Sequence, residues 1–502
     1  MNTSKLISTI LSKNYLISPD AIDQINEVEN INDFIGNLNN KNNSIIINKE
    51  VFENKVTELN DSIQQEINNK EQLQEKKIKN DISVIKVYKE KSKKREVQDF
   101  VGYYTSRYNT LKKILLQRQE LQNAISINRL QSKNNSEEVT AIGIVSSKTK
   151  TKNGNIILEL EDTTGKINAI ISNNKKEIHV IANDVCLDSV IGIKGSIRNK
   201  TIFVNNITIP DIPMNEVNKS DEEVYAVFTS DIHVGLNLFY EEDFLKFIDW
   251  LNIDNGNDRH KEIASKVKYL FIVGDLVDGV GIYPDQEKDL VIKDVYEQYE
   301  RCAFLLNKIR KNINIIICGG NHDALRLSEP QPVLDKEIAK PIWDLPNVTI
   351  ITNPGMVNLC SNGINKGINV LLYHGYSFQY FADNVESIRL NGGMDRPDLI
   401  MKYLLQFRHL APTHTSTLFV ADPNEDALVI DIIPDIFVSG HVHRTIAQNY
   451  KNVTIIGSGC WVGKTTFQEK VGINPDPGKV VLVNLKTRDV KILNFREDER
   501  NK

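Results

Sequence analysis

The chain has 502 residues, more than one hydrophobic core accommodates, so we expect about two to four domains. An apolar content of 40% and a charged content of 25% are typical of soluble globular proteins, and the formal net charge of −5 argues against a globally basic nucleic-acid-binding protein. No apolar run is long enough to span a membrane, and the patch from Leu6 to Leu11 is too short for a signal peptide. We therefore expect no membrane association and a cytoplasmic location. The single, scattered cysteines argue against a disulfide framework and a zinc ribbon.

The N-terminal region, residues 1–55, is predicted to form a small helical module. Ser18-Pro19-Asp20 combines a helix N-cap, a proline at the first helical position and an acidic first turn, and Ile22 and Ile25 follow on one face. Such a module can serve in packing or docking without chemistry of its own. The next stretch, Val56 to Asp81, is rich in polar residues and is predicted to be a linker, because it cannot bury enough apolar surface to fold alone.

We interpret residues 56–135 as a charged linker followed by an amphipathic helix. Large apolar side chains recur there every three or four residues and lie on one helix face: Phe100, Tyr104, Tyr108, Leu111 and Leu115. This face must pack against another domain or subunit. A dense basic cluster precedes the helix: Lys89, Lys91, Lys93, Lys94 and Arg95. The cluster is compatible either with contacts to phosphates or with an ordinary solvated surface.

The hydrophobic period becomes strand-like over residues 136–213. Five short apolar runs predict five strands: Thr140 to Val145, Ile156 to Leu160, Ile167 to Ile171, Val190 to Ile197 and Ile202 to Thr208. Five such strands in about 75 residues fit a small barrel of the OB type, a fold that often binds single-stranded nucleic acid. Phe203 is the only aromatic residue of this stretch, so a barrel that acts purely as a spacer is equally consistent.

In the C-terminal region, residues 214–502, five apolar runs are followed by polar side chains able to bind a metal. The runs are Val224 to Phe228, Tyr269 to Val273, Ile313 to Ile317, Ile368 to Tyr373 and Ile436 to Ser439. The polar residues that follow them are, in order, Asp231 with His233, Asp275, Asn321 with His322, His374, and His441 with His443. Such runs are typical of buried strands, whose ends converge at one edge of a sheet. We therefore predict a single polar site in an α/β sandwich of alternating strands and helices.

The residue types of this site favour a centre with two divalent metal ions. Two ions about 4 Å apart can hold the attacking and leaving oxygens of a phosphoester and lower the pKa of a bound water. Carboxylate, amide and imidazole ligands without a thiolate suit Mn²⁺, Fe²⁺, Zn²⁺ or similar ions. A lone Asp-x-His or Gly-His motif is more often a turn or a buried structural histidine. Five of the nine histidines occur in these motifs, however, and their joint occurrence indicates a function.

These motifs resemble the complete signature of the calcineurin-like metallophosphoesterase superfamily. The matching residues are Asp231-x-His233, Gly274-Asp275-x-x-Asp278, Gly320-Asn321-His322-Asp323, His374 and Gly440-His441-x-His443. The resemblance implies that Asp231, His233, Asp275 and His443 bind one metal ion. It also implies that Asp275, Asn321, His374 and His441 bind the other. Mn²⁺ is the expected ion, and Fe²⁺, Zn²⁺ and Mg²⁺ are the alternatives.

The same resemblance assigns roles to residues that do not bind the metals. His322 would face the scissile phosphate and protonate the leaving oxygen or stabilise charge in the transition state. Asp323 would orient His322, or else act as a turn residue. Asp278 is expected to be structural, as are His409 and His414, which lie outside the signature. Arg408 is expected to form an ordinary surface ion pair, with a contact to a phosphate as the alternative.

The order of the domains is similar to that in the small subunits of archaeal DNA polymerase D, relatives of the B-subunits of eukaryotic replicative polymerases. Local matches agree with this resemblance: Gln98 to Val101, Lys112 to Leu115, Glu329-Pro330-Gln331-Pro332 and Arg408 to Pro412. The resemblance spans about residues 80–502 and includes the N-terminal module by position only. The metal motifs are eroded in the eukaryotic B-subunits, whereas every ligand position is filled here. The filled positions favour an active nuclease.

The resemblance implies metal-dependent hydrolysis of DNA from single-stranded 3′ ends, as a proofreading exonuclease at the nucleoid. The large catalytic subunit of DNA polymerase D is the expected partner, and the sliding clamp is a further candidate. Two alternatives stay open, a catalytically silent structural B-subunit and a metallophosphatase that acts on nucleotides. The filled ligand set argues against the first, and the barrel with its basic helical approach argues against the second.

Overall fold

A computed structural model describes residues 11, 16–18, 46–47, 82–89, 93–133, 136–214, 216–361, 365–464, 468–469 and 474–496. The chain divides into two compact units, Met1–Asp81 and Ile82–Lys502. In the first unit, strands β1 (Leu16–Ile17) and β2 (Ile46–Ile47) pair in parallel. The helix predicted to follow Ser18 and the linker predicted up to Asp81 lie outside the described residues.

The second unit begins with an edge strand, β3 (Ile82–Lys86), which pairs in antiparallel fashion with β13 (Gly355–Leu359). The predicted linker ends at Asp81, just before this strand, and the sequence patterns did not predict the strand itself. Ile82 is buried while Ser83 and Ile85 are exposed, an alternation too short to stand out locally. The strand is stabilised by its pairing with β13. Because β13 lies far along the chain, no local pattern predicts this strand.

Helix α1 (Val97–Leu115) confirms the predicted amphipathic helix, although its buried face differs in the first half. Its buried residues are Asp99, Tyr103, Arg107, Tyr108, Leu111 and Leu115. Phe100, which we expected on this face, is 40% exposed. In the first half of the helix Tyr103, which stacks on Phe419, is buried instead, and Arg107 makes a central buried contact.

That central contact is an ion pair in which both side chains are buried. Arg107 Nε donates to the Asp426 carboxylate at 2.6 Å. Its Nη1 donates to the carbonyl oxygens of Pro412 at 2.5 Å and Asp188 at 3.3 Å. Asp188 comes just before a strand of the barrel, whereas Pro412 and Asp426 lie in the C-terminal region. One guanidinium group therefore connects the helix to both of them.

The predicted barrel is confirmed. Its strands are β4 (Glu138–Lys150), β5 (Ile156–Asp162), β6 (Gly165–Ile171), β7 (Val190–Arg198) and β8 (Thr201–Thr208). They close in the order β4-β5-β6-β8-β7. Helix α2 (Ile127–Leu130) precedes the barrel, and α3 (Lys176–Asp184) connects β6 to β7. Alternate residues of each strand, such as Ile156, Leu158 and Leu160, point into the barrel core, as the period-two pattern predicts.

The C-terminal region contains two six-stranded sheets, which confirms an α/β architecture. The first has the order β12-β11-β10-β9-β18-β19 and comprises β9 (Tyr225–Thr229), β10 (Val267–Val273), β11 (Asn314–Cys318), β12 (Val348–Ile351), β18 (Lys479–Asn484) and β19 (Val490–Asn494). The second has the order β16-β17-β15-β14-β13-β3 and adds β14 (Ile368–Leu372), β15 (Ile436–Ser439), β16 (Ile446–Tyr450) and β17 (Val453–Gly457). Strands β9 to β12 are mutually parallel, as are β14, β15 and β17.

Helices pack against both sheets. Those of the first sheet are α4 (Glu241–Leu251), α5 (Asp258–Ser265), α6 (Val295–Asn307) and α7 (Lys340–Trp343). Those of the second are α8 (Phe378–Asn384), α9 (Glu386–Arg389) and α10 (Pro397–Phe407), and their apolar core continues into the interior of the barrel. Among the described helices, none combines the length and the apolar character needed to cross a membrane.

Replacing Arg107 by Ala is expected to lower the free energy of unfolding by about 3–5 kcal/mol, because the buried Asp426 carboxylate then loses its counter-charge. Denaturation of the full chain in guanidinium chloride measures the change. Lys93→Ala is the control, since it removes an ion pair of the same helix in which the lysine side chain is 45% exposed. The control should cost about 1 kcal/mol or less. Equal shifts in the two variants would contradict the role of the buried pair.

Candidate metal centre

The predicted polar residues follow strand ends, but the strands belong to two sheets. β9, β10 and β11 are in the first sheet, whereas β14 and β15 are in the second. The sheets meet closely at these ends, since His374 Nδ1, just after β14, donates to the carbonyl oxygen of Val273 in β10 at 2.8 Å. The expectation of one sheet edge is therefore wrong, although the expectation of a single site at the strand ends agrees with the geometry.

Five of the seven predicted ligands have a left-handed backbone, which residues other than glycine rarely adopt. The φ angles are 52° at Asp231, 53° at His233, 52° at Asp275, 66° at His441 and 58° at His443. Each such conformation costs on the order of 1–3 kcal/mol and persists where the surrounding structure imposes it, commonly at functional sites. The turns after these strands are therefore strained in their backbone conformation, and this conformation directs the five side chains toward the centre.

Asp231, His233 and His443 form the first group of candidate ligands, with their ligand atoms all within 4.8 Å of one another. His443 Nε2 is 3.2 Å from Asp231 Oδ1 and 3.3 Å from His233 Nε2. Burial of Asp231 opposes its ionisation, but the charges of His443 and His374 outweigh burial and lower its pKa. Asp231 is thus available as an ionised oxygen ligand.

Asp275, His374 and His441 form the second group. Asn321 adjoins it, with its Oδ1 3.0 Å from His374 Nε2. Asp275 Oδ2 lies 3.2 Å from His374 Nε2 and 3.8 Å from His233 Nε2. Asp275 therefore faces both groups, which is the position that a bridging carboxylate requires.

The buried imidazoles of the second group have opposite pKa shifts. Burial by itself lowers the pKa of His374, but the Asp275 carboxylate and its hydrogen bond raise it to about 10. Burial and the positive charge of His374 lower the pKa of His441 to about 3. A divalent cation would take the place of the His374 proton, so metal binding here should release protons. Carboxylate, amide and imidazole donors without a thiolate fit Mn²⁺, Fe²⁺ or Zn²⁺.

His322 lies beside the first group and is 19% exposed at its side chain, so it borders solvent. Its ring centroid is 4.6 Å from that of His233. Nδ1 donates to the backbone oxygen of Asp278 at 2.9 Å, and Nε2 forms no hydrogen bond with the residues that the structure describes. Burial lowers the pKa of His322, but the carboxylates of Asp275 and Asp278 outweigh it and raise the pKa to about 9.

Asp323 does not orient His322, and that expectation is corrected. Its carboxylate accepts hydrogen bonds from the Gly320 backbone nitrogen at 2.9 Å, the Leu276 backbone nitrogen at 3.2 Å and the Tyr299 hydroxyl at 3.1 Å. These bonds join the turn after β11 to the turn after β10. Asp323 therefore holds the two turns together, and the neighbour of the His322 ring is Asp278.

Asp278 and Gln286 are functional candidates that the sequence patterns did not assign. His233 Nδ1 donates to Asp278 Oδ1 at 3.0 Å, which directs His233 Nε2 to the metal-binding group. The fully buried Gln286 donates from Nε2 to Asp278 Oδ2 at 2.7 Å and to the Asp278 backbone oxygen at 3.0 Å. The position of Asp278 within the Gly-Asp-x-x-Asp motif was an available signal, whereas Gln286 has no local signal.

Two amide side chains, Asn353 and Gln331, support the side of the centre that carries His374 and Asn321. Asn353 Oδ1 accepts from the His374 backbone nitrogen at 2.9 Å, and Asn353 Nδ2 donates to Gln331 Oε1 at 2.6 Å. Gln331 Nε2 in turn donates to the carbonyl oxygen of Gly320 at 3.1 Å. The pair links the turn that carries Asn321 to the strand end that carries His374.

Three residues outside the signature, Arg408, His409 and His414, contact residues that are not candidate metal ligands. Arg408 donates to the carbonyl oxygens of Ile430 and Asp431, and His409 donates to the carboxylate of Asp426. His414 is exposed, with its ring against Phe419. None of these described contacts involves the metal-binding groups.

Replacing Gln286 by Leu is expected to weaken Mn²⁺ binding about tenfold, because Asp278 loses the donor that holds it against His233. Calorimetric titration of the metal-stripped chain with Mn²⁺ measures the affinity. Gln379→Leu is a matched control, since this exposed amide of α8 bonds only to the nearby Asp383 among the described residues. Equal Mn²⁺ affinities of wild type and Gln286→Leu would exclude the supporting role.

Glu329 provides a test of stability against pH. This residue is 1% exposed and accepts from the Tyr373 hydroxyl at 3.0 Å, and burial raises its pKa from 4.5 to about 7. Between these values the folded protein retains a proton that the unfolded chain loses, so the free energy of unfolding falls as pH rises. The loss is about 3 kcal/mol and is complete above pH 7.

In Glu329→Gln this loss should be absent, so the variant should gain stability relative to wild type between pH 5 and pH 8. Chemical denaturation at the two pH values measures the gain. The exposed Glu337→Gln change is the control and should show no gain. A constant difference between Glu329→Gln and wild type at both pH values would show that Glu329 is ionised throughout.

Two family models match parts of the chain. The model of the calcineurin-like phosphoesterase family matches residues 225–445, and that of the OB-fold nucleic acid binding domain matches residues 139–209. The DNA polymerase II small subunit of Methanothermobacter thermautotrophicus is 38% identical over 389 residues, which cover 78% of each chain. The subunit of the same name from Thermoplasma acidophilum is 36% identical over 404 residues, which cover 80% of this chain and 78% of that protein.

The Pyrococcus abyssi DNA polymerase II small subunit is 40% identical over 403 residues, which cover 80% of this chain but 63% of the longer Pyrococcus protein. The resemblance inferred from the motifs is thus confirmed at the level of the family. The chain belongs to the family of archaeal DNA polymerase II small subunits and carries a calcineurin-like phosphoesterase domain together with an OB-fold domain.

Proposed function

We propose that the chain removes nucleotides from the 3′ ends of DNA as the proofreading exonuclease subunit of a replicative polymerase. The proposal is supported above all by the completeness of the donor set at one centre. A subunit that served only as a scaffold would have no need of five ligands in a left-handed backbone, because the strain of these turns has to be offset elsewhere.

The seven donors would hold two divalent ions. One ion would be bound by Asp231, His233, Asp275 and His443, and the other by Asp275, Asn321, His374 and His441. Two divalent ions bound at this centre would supply a water-derived nucleophile at neutral pH and neutralise the charge of the phosphate. Mn²⁺ is the ion that we expect, with Fe²⁺, Zn²⁺ and Mg²⁺ as alternatives.

His322 would act as the general acid. The hydrogen bond from its Nδ1 to the backbone oxygen of Asp278 orients the ring so that a proton on Nε2 would face the substrate. As the oxygen of water bonds to phosphorus, the bond from phosphorus to O3′ breaks, and Nε2 gives its proton to O3′. The products are a 5′-nucleotide and a strand that ends in a 3′ hydroxyl.

The proposed substrate and protein partner are inferred from the barrel and from the names of the relatives. The OB-fold barrel supports single-stranded DNA as the substrate rather than free nucleotides. The large polymerase subunit would be the protein partner, since the relatives bear the name of a small subunit. Binding to the sliding clamp and a place at the cytoplasmic nucleoid stay predictions.

Digestion of end-labelled single-stranded DNA by the full chain with its large subunit in Mn²⁺ tests the proposal. We expect stepwise loss from the 3′ end, complete inhibition by EDTA, and a rate about 100-fold or more lower in His322→Ala, which removes the general acid. His414→Ala replaces an exposed histidine outside the centre and should retain the wild-type rate.

Two other outcomes would overturn the proposal. If the complex binds Mn²⁺ and DNA but cleaves neither DNA nor p-nitrophenyl phosphate, the subunit is a scaffold with a silent centre. If it cleaves p-nitrophenyl phosphate or nucleotides but leaves DNA intact, it is a metallophosphatase. Loss of label from the 5′ end first would refute the polarity alone.

A further inference from the structure

Buried glutamine side chains form hydrogen bonds with the backbone of the loop of residues 279–291, which lies next to His322. Gln298 Oε1 accepts from the Gly279 backbone nitrogen at 2.9 Å, and Gln286 Oε1 accepts from the Ile282 backbone nitrogen at 2.9 Å. The Val291 backbone nitrogen donates to the oxygen of Gly235 at 2.8 Å. The loop is therefore fixed relative to the metal centre rather than free to rearrange.

The outer side of the same loop carries apolar side chains. Val280 is 49% exposed and Ile282 is 39% exposed, and the half-buried ring of Tyr283 lies 6.4 Å from the ring of His322 between centroids. A Cβ atom on the intervening Gly281 would meet no other atom within 4 Å, so the space above the loop is open. We name this surface, formed by Val280, Ile282 and Tyr283, the apolar ledge.

We propose that the apolar ledge binds the unpaired nucleobase at the 3′ end of the DNA strand. The inference rests on the proposed function, since it takes a DNA phosphodiester to lie at the metal centre beside His322. The sugar separates a phosphate from its base by only a few bonds, so a base joined to that phosphodiester reaches a ring adjacent to His322. Aromatic and apolar side chains hold unpaired bases by stacking, whatever their sequence.

The charges around the ledge favour an uncharged base over the phosphates of DNA. Asp285, Glu287 and Asp289 are exposed on the same loop, and Asp289 accepts from the Tyr283 hydroxyl at 3.1 Å. Lys288 pairs with Asp285 and offsets its charge, so Glu287 and Asp289 carry the excess negative charge of the loop. These carboxylates repel phosphates, whereas an uncharged base is not repelled. The ledge would thus select frayed ends, in which the terminal base is free to leave its partner.

An oligonucleotide with 2-aminopurine as its 3′-terminal base tests the proposal, because stacking quenches the fluorescence of this base. The complex of full chain and large subunit is used in Mn²⁺ with His322→Ala in the background, so that bound DNA is cut too slowly to disturb the measurement. We expect quenching with Tyr283→Phe, which keeps the ring. Tyr283→Leu should lose most of the quenching and bind the oligonucleotide about tenfold more weakly.

A matched oligonucleotide with an abasic 3′ end separates stacking from general damage to the loop. It should bind equally well to Tyr283→Phe and Tyr283→Leu, because there is no base to stack. Phe304→Leu is a surface control, since this 53% exposed ring of α6 lies against Arg301 and Lys308 instead of the centre. It should leave quenching unchanged.

Equal quenching in Tyr283→Phe and Tyr283→Leu would overturn the inference. So would unchanged DNA binding by Tyr283→Leu together with weaker binding of the large subunit, which would identify the ledge as a protein contact. If the protein without the His322→Ala change fails to cut DNA while base-dependent quenching persists, the exonuclease proposal fails and the ledge stands.

Discussion

Two buried carboxylates, Asp231 and Asp275, set the geometry of the candidate metal centre. A buried charge costs several kcal/mol unless hydrogen bonds and opposite charges compensate it. The His441 backbone nitrogen donates to Asp231 at 3.0 Å, and the His322 backbone nitrogen donates to Asp275 at 2.8 Å. These donors come from turns after β15 and β11, so burying the two carboxylates requires strand ends of both sheets to meet. His441 and His443 lie on the first of these turns and His322 on the second, whereas His233 follows β9 and His374 follows β14.

Glycines make that meeting sterically possible. A Cβ atom at Gly320 would lie 2.3 Å from Asp275 Oδ1, and one at Gly440 would lie 2.7 Å from Asp231 Oδ2. Any larger residue would push a turn away from the carboxylate that it has to approach. The glycines of the Gly-Asn-His and Gly-His motifs are therefore required for the same reason as the candidate ligands that follow them: each turn has to approach a buried carboxylate closely.

The barrel is attached to this centre through packing rather than through a flexible tether. Its interior belongs to one apolar core with α8, α9 and α10, which pack against the second sheet. Arg107 of α1 adds hydrogen bonds to Asp188 at the barrel and to Asp426 in the C-terminal region. A strand bound by the barrel would thus have a defined position relative to the phosphoesterase centre.

The sequence by itself determined the ligand types, their order and the strands that carry them, because apolar runs and short motifs are local patterns. The five barrel strands were predictable for the same reason. Tertiary structure alone decided that two sheets form the centre, that residues 82–86 complete the second sheet, and that Tyr103 and Arg107, rather than Phe100, lie on the buried face of α1. It also decided that Asp278 and Gln286, rather than Asp323, hold His322. Each of these depends on a hydrogen bond or contact between distant parts of the chain, and no local pattern records such a partner.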